Sequence, residues 1–221
     1  MWPLNAETIM PRVISRQLLL SLASLCIAGL VGGAYVATAA GSASVRVQVV
    51  DANGMPVRDA VVELTSAGDA GGPIRFPWKM GMAQKGLQFT PGTLVVAKGS
   101  TVAFPNLDQV RHSIYSFSKP ARFEIELYGR DQTRTQSFPI TGSVRLGCNI
   151  HDDMRGYIRV TDTPFAGKAD HNGYVTLAGM SPGSASLTVW HPQLRGPANE
   201  LKSAFSVSGA AQTHRLKITV R

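Results

Sequence analysis

The chain of 221 residues is long enough for one large or two modest domains with a hydrophobic core. Hydrophobic residues make up 44% of it and charged residues 16%, which excludes a chain that is disordered throughout. The formal net charge is +8, but no run of Lys and Arg is interleaved with aromatic residues, so we expect no nucleic-acid partner.

Residues 1–40 have the form of an export signal. Arg12 and Arg16 precede the apolar run LLLSLASLCIAGLVGGAYVATAA, which ends in the small residues Ala37-Thr38-Ala39. A basic start, an apolar middle and a small-residue exit are typical of a secretory signal peptide. The alternative is an uncleaved membrane anchor, since the run approaches spanning length. In both cases we expect export and a periplasmic location, with membrane contact only if the segment stays attached.

The exported chain keeps one cysteine. Cys26 lies within the signal, which leaves Cys148 without an internal partner for a disulfide. A free thiol in an oxidising compartment is prone to oxidation unless it is buried or bound. A bound metal ion would protect it.

From residue 44 onward the pattern is β throughout. In residues 45–66, the alternating runs VRVQVV and VVELTS flank a turn with Asn53-Gly54 and Pro56. Residues 67–86, which include GDAGGP, are predicted to form a linker or long loop.

Further short strands follow in two groups. Residues 82–162 contain LQFTPGTLVVAKGSTVAFPN and then RHSIYSFS, RFEIELYG, TRTQSFPI, GSVRLGC and GYIRVTD. Residues 163–221 contain KADHNGYVTLAGMSPGSASLTVWHP, SAFSV and HRLKITVR. Many short strands bounded by Gly and Pro predict an all-β protein built from sandwiches or barrels.

The segment CNIHDDM, residues 148–154, spaces a thiol, an imidazole and a thioether at intervals of three residues. A type 1 copper site needs a thiolate, two imidazoles and a weak axial thioether. Cys148, His151 and Met154 supply three of these donors from one short loop. The fourth must come from elsewhere, because one loop cannot surround the ion, and His112 at the start of a candidate strand is the natural candidate.

Two alternatives stay open at this point. Zinc would use His112, Cys148 and His151 together with Asp152 or Asp153, although the methionine spacing and the β-rich background favour copper. A nucleophilic pair of Cys148 and His151 would make the protein an enzyme. The sequence supplies no evident third member or oxyanion hole for such a pair, so we expect no enzymatic activity.

With these residues assembled, residues 82–162 resemble the cupredoxins, the type 1 blue copper proteins of the plastocyanin and amicyanin kind. LQFTPGTLVVAKGSTVAFPNLDQVRHS resembles the opening of that family, with Phe-x-Asn-x-Asp before the first histidine, and GCNIHDDM resembles its ligand loop. The resemblance implies a Greek-key β-sandwich that binds one copper ion through His112, Cys148, His151 and Met154.

The resemblance also implies roles around the ligands. Ser113 stands where the family commonly has Asn and would hydrogen-bond across to the cysteine loop, and Asn106 would support the site from the preceding loop. His151 would be the electron port at the surface. Asp152 and Asp153 follow it, where the family often has the apolar residues of a docking patch.

The flanks resemble a different family. VRVQVVDANGMPVRDAVVELTSA and KADHNGYVTLAGMSPGSASLTVWHP resemble the two parts of a carboxypeptidase-regulatory-like β-sandwich. This resemblance implies a cupredoxin inserted in, or packed on, a split prealbumin-like sandwich made of residues 45–66 and 163–221. Proteins built from these two parts resemble those labelled as methylamine-utilisation proteins.

Together these patterns predict a periplasmic one-electron carrier whose partners are redox proteins. One alternative is a copper storage or delivery protein. Another is a β-sandwich module that binds protein or carbohydrate.

Overall fold

A computed structural model describes residues 43–66, 68 and 73–221. Within them the protein is all-β, with sixteen strands and a 3₁₀ turn at Pro197–Asn199, which confirms the predicted fold class. In the same residues no helix combines the length and hydropathy needed to cross a bilayer. The predicted signal at 1–40 lies outside the described residues.

The strands, in chain order, are β1 (Ala43–Val50), β2 (Val61–Ser66), β3 (Ala83–Gln84), β4 (Phe89–Thr90), β5 (Thr93–Ala97), β6 (Ser100–Pro105), β7 (His112–Ser118), β8 (Ala121–Tyr128), β9 (Thr133–Phe138), β10 (Gly142–Cys148), β11 (His151–Thr161), β12 (Ala166–Lys168), β13 (Tyr174–Met180), β14 (Gly183–Trp190), β15 (Glu200–Val207) and β16 (Gln212–Lys217).

The two flanking parts of the chain pair with each other. β1 lies between β13 and β16, and a second sheet has the order β12-β2-β14-β15. The alternation of β1 places Val45, Val47 and Val49 on one face, where they share a core with Leu64 and Leu187. Residues from both ends of the described chain therefore fold around one core. Their likeness to a carboxypeptidase-regulatory-like sandwich stays a prediction.

The middle of the chain forms a second core. A five-stranded sheet has the order β5-β11-β10-β7-β8, and the pairs β6–β9 and β3–β4 accompany it. The buried cluster includes Phe104, Ile114 and Ile158, and it also contains Cys148 and Met154. The sulfur atoms proposed as ligands thus belong to residues at the end of a well-packed β core.

β5 joins the two cores, and this explains why all five of its residues are buried. Leu94 and Val96 belong to the core of the middle part, whereas Val95 packs with Val61 and Trp190 of the flanking part. A strand that is covered on both faces reads as a continuous apolar run, as TLVVA does.

A buried ion cluster also joins the two parts. Arg159 of β11, 5% exposed, donates two hydrogen bonds to Glu63 of β2 and one of 2.7 Å to Glu200 of β15. Burial alone would lower the pKa of Arg159, but the two carboxylates outweigh it and raise that pKa above its usual value. The strand that begins at His151 is therefore fixed to the flanking part near its other end.

Candidate metal centre

Three of the four predicted ligands converge at one end of the five-stranded sheet. β7 begins at His112, β10 ends at Cys148 and β11 begins at His151, and β10 lies between the other two strands. The two histidine Nδ1 atoms are 3.1 Å apart. Cys148 Sγ lies 3.8 Å from Nδ1 of His112 and 3.5 Å from Nδ1 of His151.

The secondary structure around the cysteine differs from the prediction of one short loop. Only Asn149 and Ile150 lie between β10 and β11, and His151 and Met154 belong to β11 itself. Consecutive aspartates are rare in strands, so the sequence pattern favoured a loop there. His151 pairs with Cys148 and Arg155 pairs with Gly147, so the two aspartates lie in a bulge of β11 between these pairs.

The donor set fits one copper ion. Nitrogen and sulfur ligands lie roughly 2.0–2.3 Å from an ion such as zinc, so two donors to one ion are at most about 4.6 Å apart. All three observed separations fall below that limit. A thiolate with two imidazoles is the trigonal set of blue copper sites. Met154 is 2% exposed and belongs to the same core cluster as Cys148, and its role as the axial donor stays a prediction.

The carboxylates proposed as zinc ligands do not join this group. Among the described residues, His112, Cys148 and His151 form the one cluster of His, Cys, Asp and Glu side chains suited to a metal ion. Asp152 and Asp153 are exposed on β11. The hard oxygen ligand that would favour zinc over copper is therefore missing from the cluster.

The sequence reasoning missed a carboxylate that fixes His112. The Nε2 atom of His112 lies 2.9 Å from Oδ2 of Asp108 and must carry the hydrogen, because an ionised carboxylate only accepts. Nδ1 is therefore the ring nitrogen left to bind a metal ion, and it is the one that lies 3.8 Å from Cys148 Sγ. A carboxylate behind a ligating histidine is a common way to fix the ring and its tautomer. The four-residue spacing between Asp108 and His112 was the available signal.

Asp108 is itself held in place by backbone amides. Gly86 donates to Oδ1 at 2.6 Å and Leu87 donates to Oδ2 at 3.0 Å. Burial alone would raise the pKa of Asp108, but these amides and His112 outweigh it, so the pKa lies below the ordinary 3.8. The charged carboxylate is thus the form that the surrounding loop stabilises.

Asn106, predicted to support the site, organises the same loop. Its side chain is fully buried, donates to the carbonyls of Val110 and Tyr128 at 2.8 and 3.0 Å, and accepts from the amide of Asp108 at 2.9 Å. Because Tyr128 pairs with His112 across β7 and β8, Asn106 connects the loop to the strand that carries the ligand.

Ser113, predicted to hold the cysteine loop, contacts it directly. Its Oγ accepts a hydrogen bond of 3.0 Å from the amide of Asn149 and lies 3.8 Å from Cys148 Sγ. The hydroxyl is buried, so this bond is shielded from water. It links β7 to the turn between the cysteine and the second histidine.

Comparisons with known proteins give partial matches. No family model and no curated protein matches the chain. A copper-containing nitrite reductase from Thermus scotoductus SA-01 is 26% identical over 44% of this chain and 25% of its own, with a TM-score of 0.36. A purple cupredoxin from Nitrosopumilus maritimus is 20% identical over 37% of this chain and 98% of its own, with a TM-score of 0.33.

A mutant of amicyanin in its reduced form is 17% identical, and that match covers 47% of this chain and 99% of amicyanin, with a TM-score of 0.35. In each of these three comparisons under half of this chain is matched, and the match spans only a quarter of the nitrite reductase. The geometry of His112, Cys148 and His151 therefore supports the copper assignment by itself.

Proposed function

We propose that the protein is a type 1 copper protein that carries single electrons between redox proteins in the periplasm. The observation that supports this best is the approach of the Cys148 thiol and two imidazole Nδ1 atoms to within 3.8 Å of one another. When bound there, copper supplies a Cu(II)/Cu(I) couple. No substrate bond is made or broken in this role.

The protein contributes a rigid set of donors. Asp108 fixes the ring of His112, and the amide of Asn149 donates to Ser113 and so ties the cysteine turn to β7. Donors held by packed strands change position little when the charge of the site changes. A small rearrangement between the two oxidation states is what rapid electron transfer requires.

His151 is the proposed electron port. It is partly exposed, whereas His112 and Cys148 are buried. Its neighbour Ile150 is 52% exposed, and Leu107, in the loop that holds the carboxylate behind His112, is 48% exposed. A partner docking near His151 would therefore meet both apolar side chains and the exposed carboxylates that follow it.

The spectrum of the copper-loaded protein tests this function. We expect an intense visible thiolate-to-Cu(II) charge-transfer band and a narrow copper hyperfine splitting in the EPR spectrum. Cys148→Ser should abolish the band, whereas Ser208→Ala, which alters a hydroxyl in a distant turn, should leave it unchanged. A colourless protein after stoichiometric loading would refute the proposal.

Copper delivery is the second candidate, because the partial exposure of His151 would also let a partner's ligand reach the ion. The two functions differ in electrochemistry. A carrier should show a reversible one-electron potential and fast self-exchange, whereas a delivery site should lose copper rapidly to an apo partner and give no reversible wave.

The proposed periplasmic location rests on residues 1–40. Expression of the full chain in a Gram-negative host, followed by osmotic shock and mass analysis, tests it. We expect a released protein that begins after Ala39. A protein retained whole in the membrane fraction would support the anchor instead.

A further inference from the structure

One face of the five-stranded sheet carries an exposed pair of aromatic rings. On β7, Ile114 and Ser116 are buried, whereas Tyr115 and Phe117 point to the opposite face. The centroids of the Tyr115 and Phe117 rings are 5.2 Å apart. Phe117 is 71% exposed, more than any other large apolar side chain that the structure describes. Two adjoining rings on a solvent-facing sheet surface are available for a contact with another molecule.

The same face adjoins the metal centre. Tyr115 pairs with Gly147 of β10, and its ring covers this glycine so closely that a Cβ there would lie 2.5 Å from a ring atom. Gly147 directly precedes Cys148, the proposed thiolate ligand. A cleft of about 360 Å³ beside the two rings is also lined by Met154. A molecule that covers these rings would therefore lie next to the residues that supply the sulfur donors.

Three arginines surround the rings. Arg145 and Arg155 line the cleft together with Phe117, and the guanidinium carbon of Arg122 lies 6.0 Å from the centroid of the Phe117 ring. All three side chains are exposed, and no carboxylate of the described residues lies within salt-bridge distance of any of them. Their charges are free to attract an acidic surface.

Two carboxylates lie near this face and do not cancel the three positive charges. Asp152 lines the cleft. Glu124 of β8 pairs with Tyr115, and its Oε1 accepts a hydrogen bond of 2.8 Å from the side chain of Asn149. The face therefore keeps an excess of positive charge around an apolar centre.

We propose that this aromatic–arginine face, formed by Tyr115, Phe117, Arg122, Arg145 and Arg155, docks a redox protein whose contact surface carries carboxylates around an apolar centre. Aromatic residues and arginine are enriched in protein interfaces, which favours a protein as the occupant. Carboxylates of a partner would complement the arginines and speed its association. Only the redox nature of the partner rests on the proposed electron-carrier function.

Binding of a short acidic peptide to the copper-free and the copper-loaded protein tests the proposal. The probe is a fluorescein-labelled peptide that alternates glutamate and leucine, and its control has glutamine in place of every glutamate. At a salt concentration of about 20 mM, we expect fluorescence anisotropy to show saturable binding of the acidic peptide, at least about 5-fold tighter than that of the control. Equal binding of the two peptides, or no saturable binding of the acidic one, would overturn the proposal.

Substitutions of exposed residues locate the site. Arg145→Gln combined with Arg155→Gln should weaken binding of the acidic peptide at least about 5-fold, and Phe117→Ser should weaken it at least about 3-fold. Lys98→Gln combined with Lys217→Gln makes the same charge change at two exposed positions outside this face and should leave affinity within twofold. If the arginine double variant, with an unaltered circular dichroism spectrum, binds the peptide like the lysine double variant, the face is not the site.

Two further measurements separate this proposal from its alternatives. If the parent protein, but not the arginine double variant, co-sediments with vesicles of anionic phosphatidylglycerol, the face binds a membrane and the proposal is overturned. A colourless copper-loaded protein that still binds the acidic peptide would refute the electron-carrier function and support an acidic protein partner. A blue protein that does not bind the peptide would overturn the docking face alone.

Discussion

Replacing Asp108 by Asn should weaken copper binding by about 10- to 100-fold, which is the usual range for a partner behind a ligating histidine. The carboxylate accepts three hydrogen bonds, from Gly86, Leu87 and His112. The amide of Asn keeps one acceptor oxygen and turns an NH₂ group toward one of these donors. At least one charge-assisted bond is lost, worth about 1.5–3 kcal/mol, and His112 is no longer held in one tautomer.

Competition with a chromophoric Cu(I) chelator at neutral pH measures this effect directly. Glu126→Gln is the matched control, because it removes the same charge from an exposed side chain on the strand that pairs with β7. We expect the control to bind copper within twofold of the parent protein. If Asp108→Asn also stays within twofold, the carboxylate does not position His112 for metal binding, and the reasoning is refuted.

Three further outcomes are expected. Met154→Leu should keep the charge-transfer band but raise the reduction potential in cyclic voltammetry, because loss of a sulfur donor disfavours Cu(II); an unchanged potential would contradict an axial role. Gly147→Ala would place a Cβ 2.5 Å from the Tyr115 ring and should lower the free energy of unfolding, measured by urea titration, by about 1–3 kcal/mol. The control Gly129→Ala places a Cβ no closer than 3.9 Å to any other atom and should lower it by under about 1 kcal/mol. The pKa of Glu200 in the folded protein lies below the ordinary 4.5, because its basic partners outweigh the effect of burial. The ionised carboxylate therefore stabilises the folded state fully above pH 4.5, and this contribution is lost as the pH falls through the lower pKa of the folded protein. The urea midpoints of the parent and Glu200→Gln should therefore differ at pH 7, and the difference should shrink as the pH is lowered from 4.5; a constant gap would contradict this.

The cysteine segment could be predicted from sequence because its chemistry is local. Cys148, His151 and Met154 lie within seven residues, and a thiol, an imidazole and a thioether at that spacing have few other joint uses. The predicted strand boundaries were also close to the observed ones: β10 begins at Gly142 and ends at Cys148, as predicted. Short alternating runs between Gly and Pro carry most of that information.

The start of β11 could not be predicted in the same way. Asp152 and Asp153 have low strand propensity, and they lie in a bulge of β11 between His151 and Arg155, the two residues on either side that pair with β10. Asp108 was missed for a related reason. Its role depends on the amides of Gly86 and Leu87, which lie more than twenty residues away, and a loop-to-loop contact of that range leaves no periodic trace in the sequence.

The sequence predicted that the middle part is inserted in or packed on the flanking part, but it did not show which residues join them. In the sequence, Arg159 occupies an ordinary polar position of an alternating strand. In the structure its side chain is buried and pairs with Glu63 and Glu200, which belong to the first and last segments of the flanking part. A buried charge left without its partners is strongly destabilising, so this cluster disfavours separation of the two parts. β11 carries both His151 and Arg159, so the strand that supplies a copper ligand is fixed at its far end by the flanking residues. The flanks therefore act as part of the frame that holds the metal site, rather than as an independent module joined by a linker.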